Sequence, residues 1–186
     1  STLKGEAAVS TEITLKSYLE VATEAALAGG SILRDRWGEI ISIQEKSRAG
    51  DLVTEVDKNS EAIILEILQS HFPSHAFLGE ETGLHPSENP FLWAVDPLDG
   101  TTNYTHGFPL CAVSIGLLHE MKPIVGVIYD PIKVELFQAA KDLGAFCNFK
   151  PIHVSSTPNL SQSLLGTGFA YNRHDTPDNN YEEFNH

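Results

Sequence analysis

The chain has 186 residues, of which 41% are hydrophobic and 20% charged, enough to bury a sizeable core and too apolar for a disordered chain. Its 12 Lys and Arg against 25 Asp and Glu give a formal net charge of −13. A field of that sign repels phosphate backbones and anionic lipid head groups, which excludes nucleic-acid or membrane recognition by a basic face. An anionic substrate would have to be met by recruited cations.

Residues 1–13 carry no periodic pattern and read as a linker or a disordered lead-in. Leu15, Leu19, Ala22, Ala26, Gly29, Leu33 and Trp37 recur at steps of three and four, predicting a helix over Thr14–Trp37 that Gly38 stops. Ile40–Gln44 is short enough for a strand, and Lys46–Gly50 reads as a basic turn. A second helix is predicted near Asp57–His71, burying Ile63, Ile64, Ile67 and Leu68, with Pro73 beyond its end. Short apolar runs then replace helical periodicity: Phe77-Leu78, Phe91–Val95, Ala112–Leu118, Ile124–Tyr129, Leu136–Ala139 and Ala145–Cys147. The connections Met121-Lys122-Pro123 and Asp130-Pro131 are of the length that joins antiparallel neighbours.

The layout is an α+β class, two helices followed by a largely antiparallel sheet, with a domain over residues 14–150. Ser, Thr, Pro and Asn accumulate from Pro151, and Leu164–Phe169 reads as the first strand of a second α/β domain over 151–186 that is incomplete. No apolar run approaches the roughly 20 residues of a membrane-spanning helix. Two cysteines, Cys111 and Cys147, make no disulfide framework, and with no leader visible the expected compartment is the cytoplasm, with a plastid stroma as the alternative. The eight His residues show no metal-ligand spacing.

Asp96-Pro97-Leu98-Asp99-Gly100-Thr101-Thr102-Asn103 follows an apolar strand directly, and strand ends are where sites form. Pro97 turns the chain, so that the carboxylates of Asp96 and Asp99 and the Leu98 carbonyl can face one point, a partial shell for a hard divalent cation such as Mg²⁺. Gly100 admits close backbone approach, and the amides of Thr101 and Thr102 can open a helix that attracts phosphate. On spacing alone the same residues also make an ordinary turn. Glu80 and Glu81 follow another short strand and could complete the shell. Asp57, at the expected start of the second helix, reads either as a base or as an N-cap. Lys46 and Arg48 lean toward a phosphate or flank a solvated turn.

Leu52-Val53-Thr54-Glu55-Val56-Asp57, Gly79-Glu80-Glu81 and Trp93 to Asn103, in this order, resemble the inositol monophosphatase family. The strand Ala112–Gly116 and the segment Gly144–Asn148 are similar to it as well. The resemblance implies a layered αβαβα sugar-phosphatase fold and Mg²⁺-dependent hydrolysis of a phosphate monoester by metal-activated water in an in-line displacement. Inositol monophosphate is the favoured substrate within the class of small phosphorylated polyols or sugars. It implies that Glu80, Asp96 and the Leu98 carbonyl bind one Mg²⁺ and that Asp96 and Asp99 contribute to a second. Asp57 and Thr101 would position the attacking water, so that Asp57, Glu80 and Thr101 form the catalytic set. The amides of Gly100 and Thr101 would hold the phosphate, placing Leu98, Asp99, Gly100 and Thr101 at the substrate. Lithium sensitivity and a homodimer of the full-length protein are expected on the same ground.

Members of that family continue into a region with a Trp-Asp motif that completes the second metal site, and no such motif occurs in Tyr171–His186. The chain therefore reads as the N-terminal part of a longer phosphatase, weak or inactive by itself. The alternatives are a related phosphatase for histidinol phosphate, fructose bisphosphate or a 3′-phosphoadenosine nucleotide, or a non-catalytic metal-binding fragment.

Overall fold

The structure, a computed structural model, describes the backbone of residues 2–39, 46–167 and 180 and the side chains of 14–39, 53, 55–167 and 180. Two units are distinguished, Ser1–His153 and Val154–His186.

In the first unit helix α1 spans Thr2–Asp35 and helix α2 spans Lys46–His71. Both begin earlier than the periodicity predicts. The expected linker is helical backbone from Thr2 on, since Leu3, Lys4, Glu6, Ala7 and Ala8 are strong helix formers and no proline interrupts them. Likewise Lys46–Gly50 is the first turn of α2 instead of a loop, because a single glycine costs only about 1 kcal/mol against the helix-forming Lys46, Arg48 and Ala49. Asp57 consequently lies inside α2 and is no N-cap. The predicted strand Ile40–Gln44 lies outside the described residues.

Eight strands follow: β1 Ala76–Gly79, β2 Gly83–His85, β3 Phe91–Asp99, β4 Ala112–His119, β5 Lys122–Asp130, β6 Glu135–Ala140, β7 Gly144–Cys147 and β8 Lys150–Ile152. They form one sheet in the order β2-β1-β3-β4-β5-β6-β7-β8. The pairing of β1 with β3 is parallel and the others are antiparallel. The short strands β2 and β8 carry too little apolar pattern to be read from sequence. Between β4 and β5 the turn is Glu120-Met121, both at positive φ, one residue earlier than expected.

Alternation decides which sheet face the helices cover. Trp93 and Val95 of β3, Val113, Ile115 and Leu117 of β4, Val125, Val127 and Tyr129 of β5 and Leu136 of β6 are buried together with Val21, Ala22, Ala25, Ala26 and Leu33 of α1. From α2 the buried stripe is Val53, Val56, Asp57, Ser60, Glu61, Ile64, Leu65 and Leu68. Three of these positions are polar, and all three bear on the site.

A short helix α3, Thr101–Thr105, follows β3. Its Tyr104 hydroxyl donates to the Leu33 carbonyl at 2.7 Å, capping a carbonyl at the C-terminal end of α1, and Trp37 packs edge-on against the same ring. In the second unit a 3₁₀ turn covers Leu160–Gln162. The predicted strand Leu164–Phe169 is not formed over 164–167, where every side chain is exposed and no partner strand pairs with it, and its remaining residues lie outside the described set. Among the described residues no helix is long and apolar enough to cross a membrane.

Candidate active site

The parallel register of β1 and β3 sets Gly79 opposite Val95, so the next residue of each strand, Glu80 and Asp96, leaves the sheet at the same edge. The Glu80 amide donates to the Val95 carbonyl at 3.2 Å, which ties the turn after β1 to the end of β3. Beyond Asp96 the register with β4 shifts before Asp99, because Pro97 offers no N–H to the ladder. Inside that irregularity the Leu98 amide donates to Asp96 Oδ1 at 3.1 Å. The local turn expected on spacing alone is thus present, and it also presents carboxyls at the strand end.

Gly100 then adopts a left-handed φ of 88°, and a Cβ there would stand 2.8 Å from the Leu110 carbonyl oxygen. Only glycine joins β3 to α3 in this way. Thr101 Oγ1 donates to the Leu98 carbonyl at 3.0 Å and keeps its lone pairs for another donor.

From the helix layer, Asp57 is buried at 7% exposure, and its Oδ1 has no hydrogen-bond partner. Burial first, and then the charges of Glu81, Glu80, Asp96 and Glu61, push its carboxyl up to about 7. Burial again comes first for Asp96, followed by its carboxyl neighbour Glu80, and raises it to about 7. Among the described residues, no positive charge appears among the causes of either shift.

The predicted residues do not form one closed cluster. Among the described residues no three His, Cys, Asp or Glu side chains stand close enough to hold one ion as they are. Glu80 and Asp96 open onto a cavity of about 440 Å³ floored by Ala94, Ser114 and Gly116. Asp99 and Gly100 line a different one, of about 500 Å³, with Asn103, Cys111, Asp130 and Lys133. Burial raises the Cys111 thiol to about 11, which leaves it unreactive. A divalent cation nevertheless suits the donor set. Its oxygens are hard, burial and neighbouring carboxyls raise Asp57 and Asp96 to about 7, and a buried carboxylate oxygen lacks a partner.

Sequence reasoning missed Ser60 and Glu61. Ser60 Oγ donates to the Pro97 carbonyl at 3.2 Å, and the Glu61 carboxylate accepts from the amides of Glu81 and Thr82 at 2.8 and 2.9 Å. The available signal was polar residues recurring at helical spacing inside the apolar stripe of α2.

Fold and side chains together define a helix-on-sheet protein with carboxyls at adjoining strand ends. The chain belongs to the inositol monophosphatase family, whose model matches residues 14–186. It is 57% identical over 171 residues to an inositol-1-monophosphatase of Synechocystis sp., covering 91% of this chain and 60% of that protein. A fructose-1,6-bisphosphatase/inositol-1-monophosphatase of Aquifex aeolicus is 45% identical over 157 residues, covering 83% of this chain and 59% of the other. The solved inositol monophosphatase of Anabaena (Nostoc) sp. superposes with a TM-score of 0.80 at 53% identity, covering 92% of this chain and 62% of that one. The chain thus spans about 60% of the length of the curated relatives it matches.

Proposed function

We propose that this chain carries the principal cation-binding part of a Mg²⁺-dependent phosphate monoester hydrolase acting on inositol monophosphate. The observation that carries the reading is that Glu80 and Asp96 leave adjoining ends of the parallel pair β1–β3, while a buried Asp57 oxygen in α2 is unpartnered. Glu80, Asp96 and the Leu98 carbonyl would hold one Mg²⁺, and Asp96 and Asp99 would contribute to a second. When bound, Mg²⁺ neutralises charge on the phosphoryl oxygens, acidifies a water and stabilises the leaving oxygen.

The protein's own groups then orient the reaction. Asp57, raised toward neutrality by its surroundings, accepts a proton from the attacking water. Thr101 Oγ1, its hydrogen committed to Leu98, accepts a hydrogen bond from the same water and fixes its direction. The amides of Gly100 and Thr101 bind the phosphate, and Asp99 lies at the substrate. Fructose bisphosphate is the second reading, favoured by the dual name of the Aquifex relative. A homodimer and a cytoplasmic or plastid-stromal location complete the proposal.

The test is phosphate release from inositol monophosphate and fructose bisphosphate by the intact protein, with Mg²⁺, with chelator, and with Li⁺ against a Na⁺ series at equal ionic strength. Activity is expected to require Mg²⁺ and to fall with Li⁺ alone. Asp99→Asn is expected to cost roughly 10²-fold or more in turnover while melting near wild type. Full turnover in excess chelator overturns the metal reading.

A further inference from the structure

Glu61 is a fully buried carboxylate at 0% exposure, yet it faces none of the cavities at the site. Burial of such a group is costly unless donors satisfy it, and here the donors are main-chain. One oxygen accepts from the Glu81 amide at 2.8 Å and the other from the Thr82 amide at 2.9 Å. The turn that receives this anchor closes the β1–β2 hairpin, with Gly79 paired to Gly83 and Thr82 Oγ1 3.1 Å from His85 Nε2. Glu80, Glu81 and Thr82 are all exposed, so no side chain of the turn is packed in the core. Strand β1 is shaped around the same carboxylate, since a Cβ on Gly79 would stand 2.6 Å from Glu61 Cδ. The preceding residue of α2, Ser60, reaches the other loop through the Pro97 carbonyl, one residue beyond Asp96. Two adjacent residues of one helix therefore grip the turn bearing Glu80 and the bend bearing Asp96.

We propose that Glu61, assisted by Ser60, is a positioning residue that sets Glu80 beside Asp96 in the geometry a divalent cation needs. This rests on the reading of Glu80 and Asp96 as metal ligands. A helix is a stiff ruler, and both loops are referred to it at consecutive positions, one helical turn beyond Asp57. Without the anchor the Glu80 amide bond to Val95 and the pairing of Gly79 with Gly83 remain, but the two following amides lose their acceptor and the turn carrying the Glu80 carboxyl is held less firmly.

The experiment compares the intact wild-type protein with Glu61→Gln, Glu61→Asp and Ser60→Ala, measuring Mn²⁺ binding by electron paramagnetic resonance, the Mg²⁺ dependence of turnover, and thermal melting. Glutamine keeps one acceptor and turns an N–H₂ toward the other amide. It is expected to weaken Mn²⁺ binding and raise the Mg²⁺ requirement by roughly 10- to 100-fold, the usual effect of losing a group that orients a metal ligand. Glu61→Asp retains both acceptor oxygens and is expected to recover part of that loss. A lower melting temperature with Mn²⁺ affinity within about twofold of wild type shows a purely structural role and overturns the proposal. Should Glu61→Gln fail to fold, Ser60→Ala decides by the same readout, with weakened binding expected and unchanged binding overturning the proposal. Amide exchange in the metal-free wild type supplies a check that needs no variant: the amides of Glu81 and Thr82 are expected to be protected despite their exposed side chains, and unprotected exchange overturns the anchor. Wild-type protein that binds no Mn²⁺ overturns the hydrolase reading along with this one, whereas wild-type binding left unchanged by Glu61→Gln overturns this one alone.

Discussion

Asp57 shows how a single residue carries a cost that the fold does not offset by itself. Its carboxyl is buried with one oxygen unpartnered, and burial first, then acidic neighbours, raise it to about 7 from an ordinary value of 3.8. A raised carboxyl binds its proton more tightly in the folded state than in the unfolded chain. The metal-free fold should therefore lose stability as pH rises from about 4 through about 7, and Asp96 adds to the same slope. Added Mg²⁺ should reverse the trend, since binding displaces those protons. Asp57→Asn removes the charge and keeps the shape. Metal-free, near pH 8, it is expected to be more stable than wild type by roughly 1–3 kcal/mol after allowance for solvent screening, and slower in turnover by about 10²-fold or more. Melts in chelator across pH, with and without the substitution, check this. A wild-type melting temperature that gains on that of Asp57→Asn between pH 4 and 7 in chelator contradicts the account.

Elements position these residues through contacts made far from the carboxyls. At the corner between α2 and β1, His75 is buried and stacks with Phe72 and Phe91, and the Trp93 indole N–H donates to its Nδ1 at 3.1 Å. That bond requires a neutral ring with the proton on Nε2, and burial lowers the ring below its ordinary 6.5. A depressed folded value means that its contribution is intact above about 6.5 and is lost as pH falls below it. Nuclear magnetic resonance of the Trp93 indole proton should show no His75 titration until pH is below that value; titration above it excludes the assigned tautomer. At the other end of β3 the junction depends on Gly100. Gly100→Ala combines a φ of 88° with a Cβ 2.8 Å from a carbonyl oxygen. It is expected to destabilise by roughly 1–3 kcal/mol and to displace α3, which denaturant unfolding and phosphate affinity would report together.

For the whole molecule, the sheet is covered by helices on one face, while the other exposes Leu78, Ile128 and Phe137. Its edge strands β2 and β8 have 3 residues each, and Pro151 removes a donor from β8, so the edges are poor templates for pairing. A polypeptide of residues 1–186 by itself should thus associate through the apolar face. Sedimentation is expected to show concentration-dependent association, reduced by replacing Ile128 and Phe137 with lysine. Association unaffected by that double change places the contact elsewhere.

Much of this was legible in the sequence because it is local. Alternating apolar residues give the strands β3 to β7, helical spacing gives α1 and α2, and the order of the acidic motifs marks the family. Chain-local patterns could not show that Asp57 lies within α2, since the start of that helix depends on weak propensities that no single residue announces. Nor could they show which carboxyls meet. The parallel pairing of β1 with β3 brings Glu80 to Asp96, and the face of α2 toward those strands brings Asp57, Ser60 and Glu61 to both turns. These juxtapositions join positions far apart in the chain. They exist only once the sheet register and the helix packing are fixed, and the raised carboxyls and the buried Glu61 anchor follow from that closeness rather than from any residue's own chemistry.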